Sequence, residues 1–189
     1  LFQNMSLILL LIVPLLTMRL LAEEKKLGTM ELLFTYPLRD SEILLGKFFA
    51  SLAVMVATFI LTLLFPLTLK IIYGIEVGPV LSGFLGLFLT ASFFIACGLM
   101  VSSLTENQTI AALGTLGILF LFWLMVYAHR VAPSPVAYIF NRISFLEHFD
   151  GFAKGVIDTQ DIIYFLSLTL FFLFLTYQSM ESKRWRGLK

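Results

Sequence analysis

Charge is scarce in this chain. Only 13% of its 189 residues are Asp, Glu, Lys or Arg, where a soluble domain carries roughly a quarter. So few charges do not cover the surface of a soluble fold. The charges also nearly cancel, to +1, which excludes the basic footprint of a nucleic-acid binder. Cysteine is almost absent. Cys97 alone excludes an internal disulfide framework and a cysteine-clustered metal site, and its apolar surroundings mark it as a small buried residue. A phosphate-cradling loop is missing too. Gly46-Lys47 is followed by no Ser or Thr, and no glycine stands five residues before Gly46. ATP is therefore not bound by this route. What the chain has in abundance is apolar surface: 59% hydrophobic residues, twenty of them phenylalanine.

The apolar residues fall into five runs at about residues 1–22, 48–69, 80–101, 109–128 and 162–180, each near the roughly 20 residues that a membrane crossing needs. The last four contain no charge. Pro14 and Pro66 fall inside runs, where membrane helices tolerate them as kinks. The expected fold is an all-α, polytopic membrane helix bundle forming a single domain over residues 1–189. A loop of residues 23–47 joins spans one and two, and a loop of residues 129–161 precedes the last span. Lys and Arg concentrate in cytoplasmic loops. The first loop, the third loop and the tail together hold nine basic residues, and the other side holds four. The first loop and the C-terminus are therefore expected in the cytoplasm, in a multi-pass protein of the inner (plasma) membrane. The opening stretch has neither the basic region nor the small-residue cleavage site of a signal peptide. Leu1 is not an initiator methionine, and a further span is expected upstream.

The first loop is the most informative segment. At helical spacing Leu27, Met30, Leu33 and Phe34 share one face, and Glu24, Lys25, Gly28, Thr29, Glu31 and Thr35 share the other. The helix should stop near Tyr36, because the residue before Pro37 is biased away from helical geometry. A second helix should follow, capped by Asp40 or Ser41, with Glu42 in its first turn, and run through Gly46 and Lys47 into span two. Leu32 is apolar yet falls on the polar face. It is read either as a docking knob for a soluble partner or as part of an ordinary interfacial helix touching lipid; pattern alone favours the second.

The pattern Glu24, Gly28, Thr29, Glu31, Leu33, Pro37, Glu42, Gly46 and Lys47, within residues 10–50, resembles the type-two family of ATP-binding-cassette (ABC) exporter permeases. Residues 102–112, 144–174 and 179–187 add a closer resemblance to the gliding-motility-type permease subunits of that family. The resemblance implies a six-span permease whose first span precedes this chain. It implies a coupling helix at residues 23–37 that fits a cleft on a cassette ATPase. Its candidate coupling residues are Glu24, Gly28, Thr29, Glu31, Leu32, Leu33, Thr35 and Pro37. No cofactor is expected in this chain, since ATP and Mg would be bound by the partner ATPase. The expected partners are cassette ATPase subunits, a second permease copy or a related permease, and the lipid bilayer, with no nucleic acid.

The loop before the last span is dense in apolar residues, among them Phe145, Leu146, Phe149 and Phe152, yet Pro133, Pro135, Gly151 and Gly155 break any full span. Short re-entrant or interfacial helices fit, with Glu147, His148 and Asp150 as candidates for an outer gate. The pattern favours reading the same three residues as polar positions on an outer-leaflet helix. A metal site is not expected from them: no second His or Cys stands near, and Glu147 and His148 point about 100° apart on a helix. Ser82, Gly83, Gly86, Ala91, Ser92, Ala96 and Gly98 make span three rich in small residues. They suit packing against a neighbouring span or a dimer seam. The function these features favour is the non-catalytic permease subunit of an ABC transporter. A membrane scaffold without transport is the alternative, and an ion-driven carrier is disfavoured by the uncharged spans.

Overall fold

The computed structural model describes residues 2–29, 39–74, 76–128 and 144–187, with only the backbone at residues 73, 128 and 183–187. Among these, seven helices follow in chain order: α1 (Phe2–Thr17), α2 (Ala22–Lys26), α3 (Asp40–Tyr73), α4 (Val77–Leu104), α5 (Gln108–Ala128), α6 (Phe145–Ala153) and α7 (Thr159–Gly187). No strand occurs among the described residues. Five helical stretches among the described residues are long and apolar enough to cross a membrane: Phe2–Lys26, Asp40–Ile72, Val77–Leu104, Gln108–Tyr127 and Thr159–Ser182. The fold is an all-α polytopic bundle.

α4 is its axis. It packs against α1, α3, α5 and α7 along its length and against α6 at one end. Within its apolar window 78% of the residues are buried, against 17–44% in the other four stretches. Lipid tails are as apolar as phenylalanine, so close shape fit, not escape from water, must hold membrane helices together. The small residues of α4 supply that fit. A side chain at Gly83 would run into the Phe2 ring, one at Gly86 into Phe152, and one at Gly98 into Thr17. These glycines are filled from within the chain by α1 and α6, so they serve internal packing and not a dimer seam. Around them lies an aromatic cluster in which Phe93 meets Phe94, Phe122 and Phe172, and Phe94 meets Phe145.

Two local details differ from the sequence expectation. The first apolar run is not one helix. α1 ends at Thr17, and residues 18–21 turn before α2 begins. The second helix is capped by neither Asp40 nor Ser41. Arg39 occupies the N-cap, Asp40 is already in the first turn and buried, and Glu42 accepts the Arg39 backbone N–H at 2.9 Å. A guanidinium offers no acceptor, so this is only the Glu half of a capping box. α3 then runs 34 residues, about 51 Å at 1.5 Å per residue, well beyond the roughly 30 Å of a bilayer's hydrocarbon core.

Both ends of the first loop, the end of α4 and the tail-side part of α7 lie at one end of the bundle. Lys25 of α2, Lys47 of α3, Ser103 of α4 and Ser179 of α7 meet there. Gln3 of α1, α6 and Asp161 of α7 meet at the opposite end.

Candidate functional site

The first loop leaves and re-enters the bundle through a narrow neck. On the entering side, the turn at residues 18–21 leaves backbone donors without helical partners. The Ser102 hydroxyl of α4 accepts two of them, Leu21 N–H at 3.2 Å and Ala22 N–H at 3.0 Å, and donates to the Met18 carbonyl at 3.3 Å. Beside it, Lys25 Nζ donates to the Ser103 carbonyl. That carbonyl lies in the last turn of α4, where a cation is favoured by the helix dipole. On the returning side, Lys47 Nζ donates to the Leu20 carbonyl at 2.7 Å and forms an ion pair with Glu24. Glu24 and Lys47 are the first and last positions of the sequence pattern, and the fold joins them across the loop's base. Among the described residues the second Glu24 oxygen, Oε2, is buried with no hydrogen-bond partner, and Lys47 is the cation paired with that carboxylate.

Gly28 and Thr29 stop α2. The expected helix over residues 23–37 does not run unbroken: Lys26 is its last α2 residue, Leu27 caps it, and Gly28 sits at φ +70°, a left-handed conformation that glycine adopts at little cost. Gly28 N–H donates to the Lys25 carbonyl at 3.2 Å, and the Thr29 hydroxyl donates to the Glu24 carbonyl at 3.2 Å. Between them these bonds satisfy carbonyls that a helix end leaves open. Pattern reading put Gly28 and Thr29 on the polar face of one amphipathic helix; the fold makes them the corner at which the loop changes direction. Of the other candidate coupling residues, Glu31, Leu32, Leu33, Thr35 and Pro37 lie outside the described residues.

At the opposite end α6 folds back onto the bundle. Phe145, Phe149 and Phe152 are fully buried beneath it, and Gly155, at φ +91°, turns the chain toward α7. The three gate candidates diverge. His148 is buried and points at α7, where Nδ1 donates to Asp161 Oδ1 at 2.7 Å and the ring stacks on Tyr164 at 4.0 Å. Asp150 points at α1: Gln3 Nε2 donates to its Oδ1 at 2.5 Å, and Lys154 Nζ pairs with its Oδ2 at 2.7 Å. The bond from Lys154 holds the Asp150 carboxyl below its ordinary pKa. Partial burial opposes this and the Gln3 amide adds to it, while the same pair raises Lys154. Glu147 is exposed. With Asp150, Lys154, Gln3, Trp123 and Tyr127 it lines an open groove of about 670 Å³ between α1, α5 and α6. Among the described residues no three His, Cys, Asp or Glu side chains converge as a metal site would require.

Sequence reasoning missed Ser102, Ser103, Gln3 and Asp161. Each is an unremarkable residue near a helix end. Asp161 lies 13 residues from His148, but the partners of the other three lie far along the chain, as Ser102 and Ala22 do at a separation of 80 residues. The only signal was indirect: adjacent serines at the end of an otherwise apolar run.

Residues 2–183 match the family described as ABC-2 family transporter protein. No curated protein and no solved structure matches the chain.

Proposed function

The chain belongs to the ABC-2 family of transporter proteins, and on that premise we propose that it is the permease subunit that a separate cassette ATPase drives. The observation that carries the proposal is the neck. A loop built to receive force from a soluble partner must be fastened to the helices it moves. Here Glu24–Lys47 and Ser102 fasten both of its ends to α1, α3 and α4. Partner ATPases bind ATP and Mg and close on each other; the loop element beyond Gly28 moves with them; α1 and α3 tilt in response. The pathway forms between two such chains, identical or related. The apolar faces of α3, α5 and α7, with Phe49, Ile60, Leu121 and Phe171 exposed, meet lipid and the second permease. The first loop and the tail face the cytoplasm, the chain lies in the inner membrane, and the resemblance to type-two ABC exporter permeases supports an export direction.

The test is purification in mild detergent from cells that express the natural partners, with mass spectrometry and an ATPase assay. A stoichiometric cassette ATPase is the expected result. Its absence would transfer the chain to a scaffold role. Leu32→Asp and Glu31→Arg are then expected to leave ATP hydrolysis running without its nucleotide-dependent effect on the permease. Wild-type coupling in both variants would remove residues 23–37 as the docking surface.

A further inference from the structure

We infer that α4 acts as a transmission rod, carrying movement at the loop neck across the bundle to α6 and the groove wall. The inference rests on the permease reading above and adds the route. α4 is clasped by hydroxyls at both ends. At the neck, Ser102 holds the α1–α2 turn through three hydrogen bonds. At the far end, the buried Ser82 hydroxyl donates to the Phe152 carbonyl of α6 at 3.0 Å. The clasps are twenty residues apart in one unbroken helix, about 30 Å at 1.5 Å per residue.

Between the clasps the helix has no slack. Gly98 seats Thr17 of α1 and Gly86 seats Phe152 of α6, each too closely for even a methyl group to intervene. Sliding or rotation of α4 must therefore displace those neighbours, because packed interiors shift between discrete arrangements and do not deform smoothly. α6 also carries Glu147, Asp150 and Lys154, so its displacement reshapes the groove. α1 is the competing route, since it runs from the neck to the Gln3–Asp150 bond. The turn at residues 18–21, however, interrupts its helix at the neck, whereas α4 is continuous.

The experiment is hydrogen–deuterium exchange of the permease–ATPase complex in lipid nanodiscs, with and without Mg·ATP and orthovanadate. The readouts are the amides of α2 and α6. In the wild type, both helices are expected to change exchange rate on nucleotide trapping. Ser82→Ala is expected to keep the α2 response and lose at least half of the α6 response; Ser102→Ala, which also removes the acceptor of the Leu21 and Ala22 amides, is expected to lose at least half of the α6 response. The double variant should lose no more than the worse single one, as serial links require. Ser102→Thr, which keeps the hydroxyl, should retain the response and so separate transmission from misfolding. A wild-type α6 response in both alanine variants would overturn the rod, as would its loss in Gln3→Ala alone. A wild-type complex without any α2 response would overturn the permease reading and the rod with it.

Discussion

Gly98→Ala puts the packing logic of the bundle to its strictest test. A Cβ built at Gly98 would lie 2.6 Å from Thr17 Cβ, and closer still to Thr17 Oγ1. Non-bonded carbons sit at about 3.5–4.0 Å, so α1 and α4 must part by about 1 Å. Thr17 cannot step aside. Its Cβ is fixed to the helix backbone, the residue is fully buried, and its hydroxyl donates to the Val13 carbonyl at 2.9 Å. The cost belongs at the upper end of the overpacking range, about 3 kcal/mol, or roughly a hundredfold in the folded-to-unfolded ratio. Reversible unfolding by SDS titration measures it. Two other glycines calibrate the result. Gly117→Ala has no atom within 4 Å of the added methyl and should cost nothing. Gly83→Ala meets first the ring of Phe2, a flexible side chain at the start of α1, and should cost less than about 1 kcal/mol. Adding Thr17→Ala to Gly98→Ala removes Oγ1 and Cγ2 but leaves Cβ, so it should recover only part of the loss. If Gly98→Ala unfolds together with Gly117→Ala, the close seat of α1 on α4 is wrong.

The neck and the far end give further expectations. Lys47→Met strands the Glu24 carboxylate, whose Oε2 already lacks a partner among the described residues, and should cost about 2 kcal/mol; Glu24→Gln in the same chain should restore most of it, and no recovery would deny the pairing. Gly28→Ala meets no steric contact, so its cost is conformational, about 1–2 kcal/mol, and the redirected loop should lower nucleotide-dependent coupling in an ATPase-coupled exchange assay. Asp150 has a lowered pKa when folded, so its pairing stabilises the fold fully above the ordinary carboxylate value near about pH 4 and is lost as pH falls through the lower folded value. Asp150→Asn should therefore flatten the acid limb of a stability–pH curve and leave its shape near neutrality unchanged; an unaltered acid limb would count against the Gln3–Asp150–Lys154 cluster.

Composition and run length alone determined the class of the fold. A chain with 13% charged residues and five long apolar runs has no soluble solution, and in lipid an α-helix satisfies its own backbone, so each run must be a helix. The order of the runs also fixed which loops share an end, because successive spans must alternate in direction. The first-loop pattern was legible for the same kind of reason: it is written in consecutive residues. Tertiary structure alone decided how those residues are used. That α4 is the axis depends on which glycines receive which neighbours. That Gly28 is a corner depends on bonds made by residues on either side of it. That Glu24 meets Lys47, Ala22 meets Ser102 and Gln3 meets Asp150 depends on separations of 23, 80 and 147 residues. Helical periodicity reports which face of a helix a residue occupies. It carries no information about what stands opposite that face, and the neck and the groove are both made of such encounters.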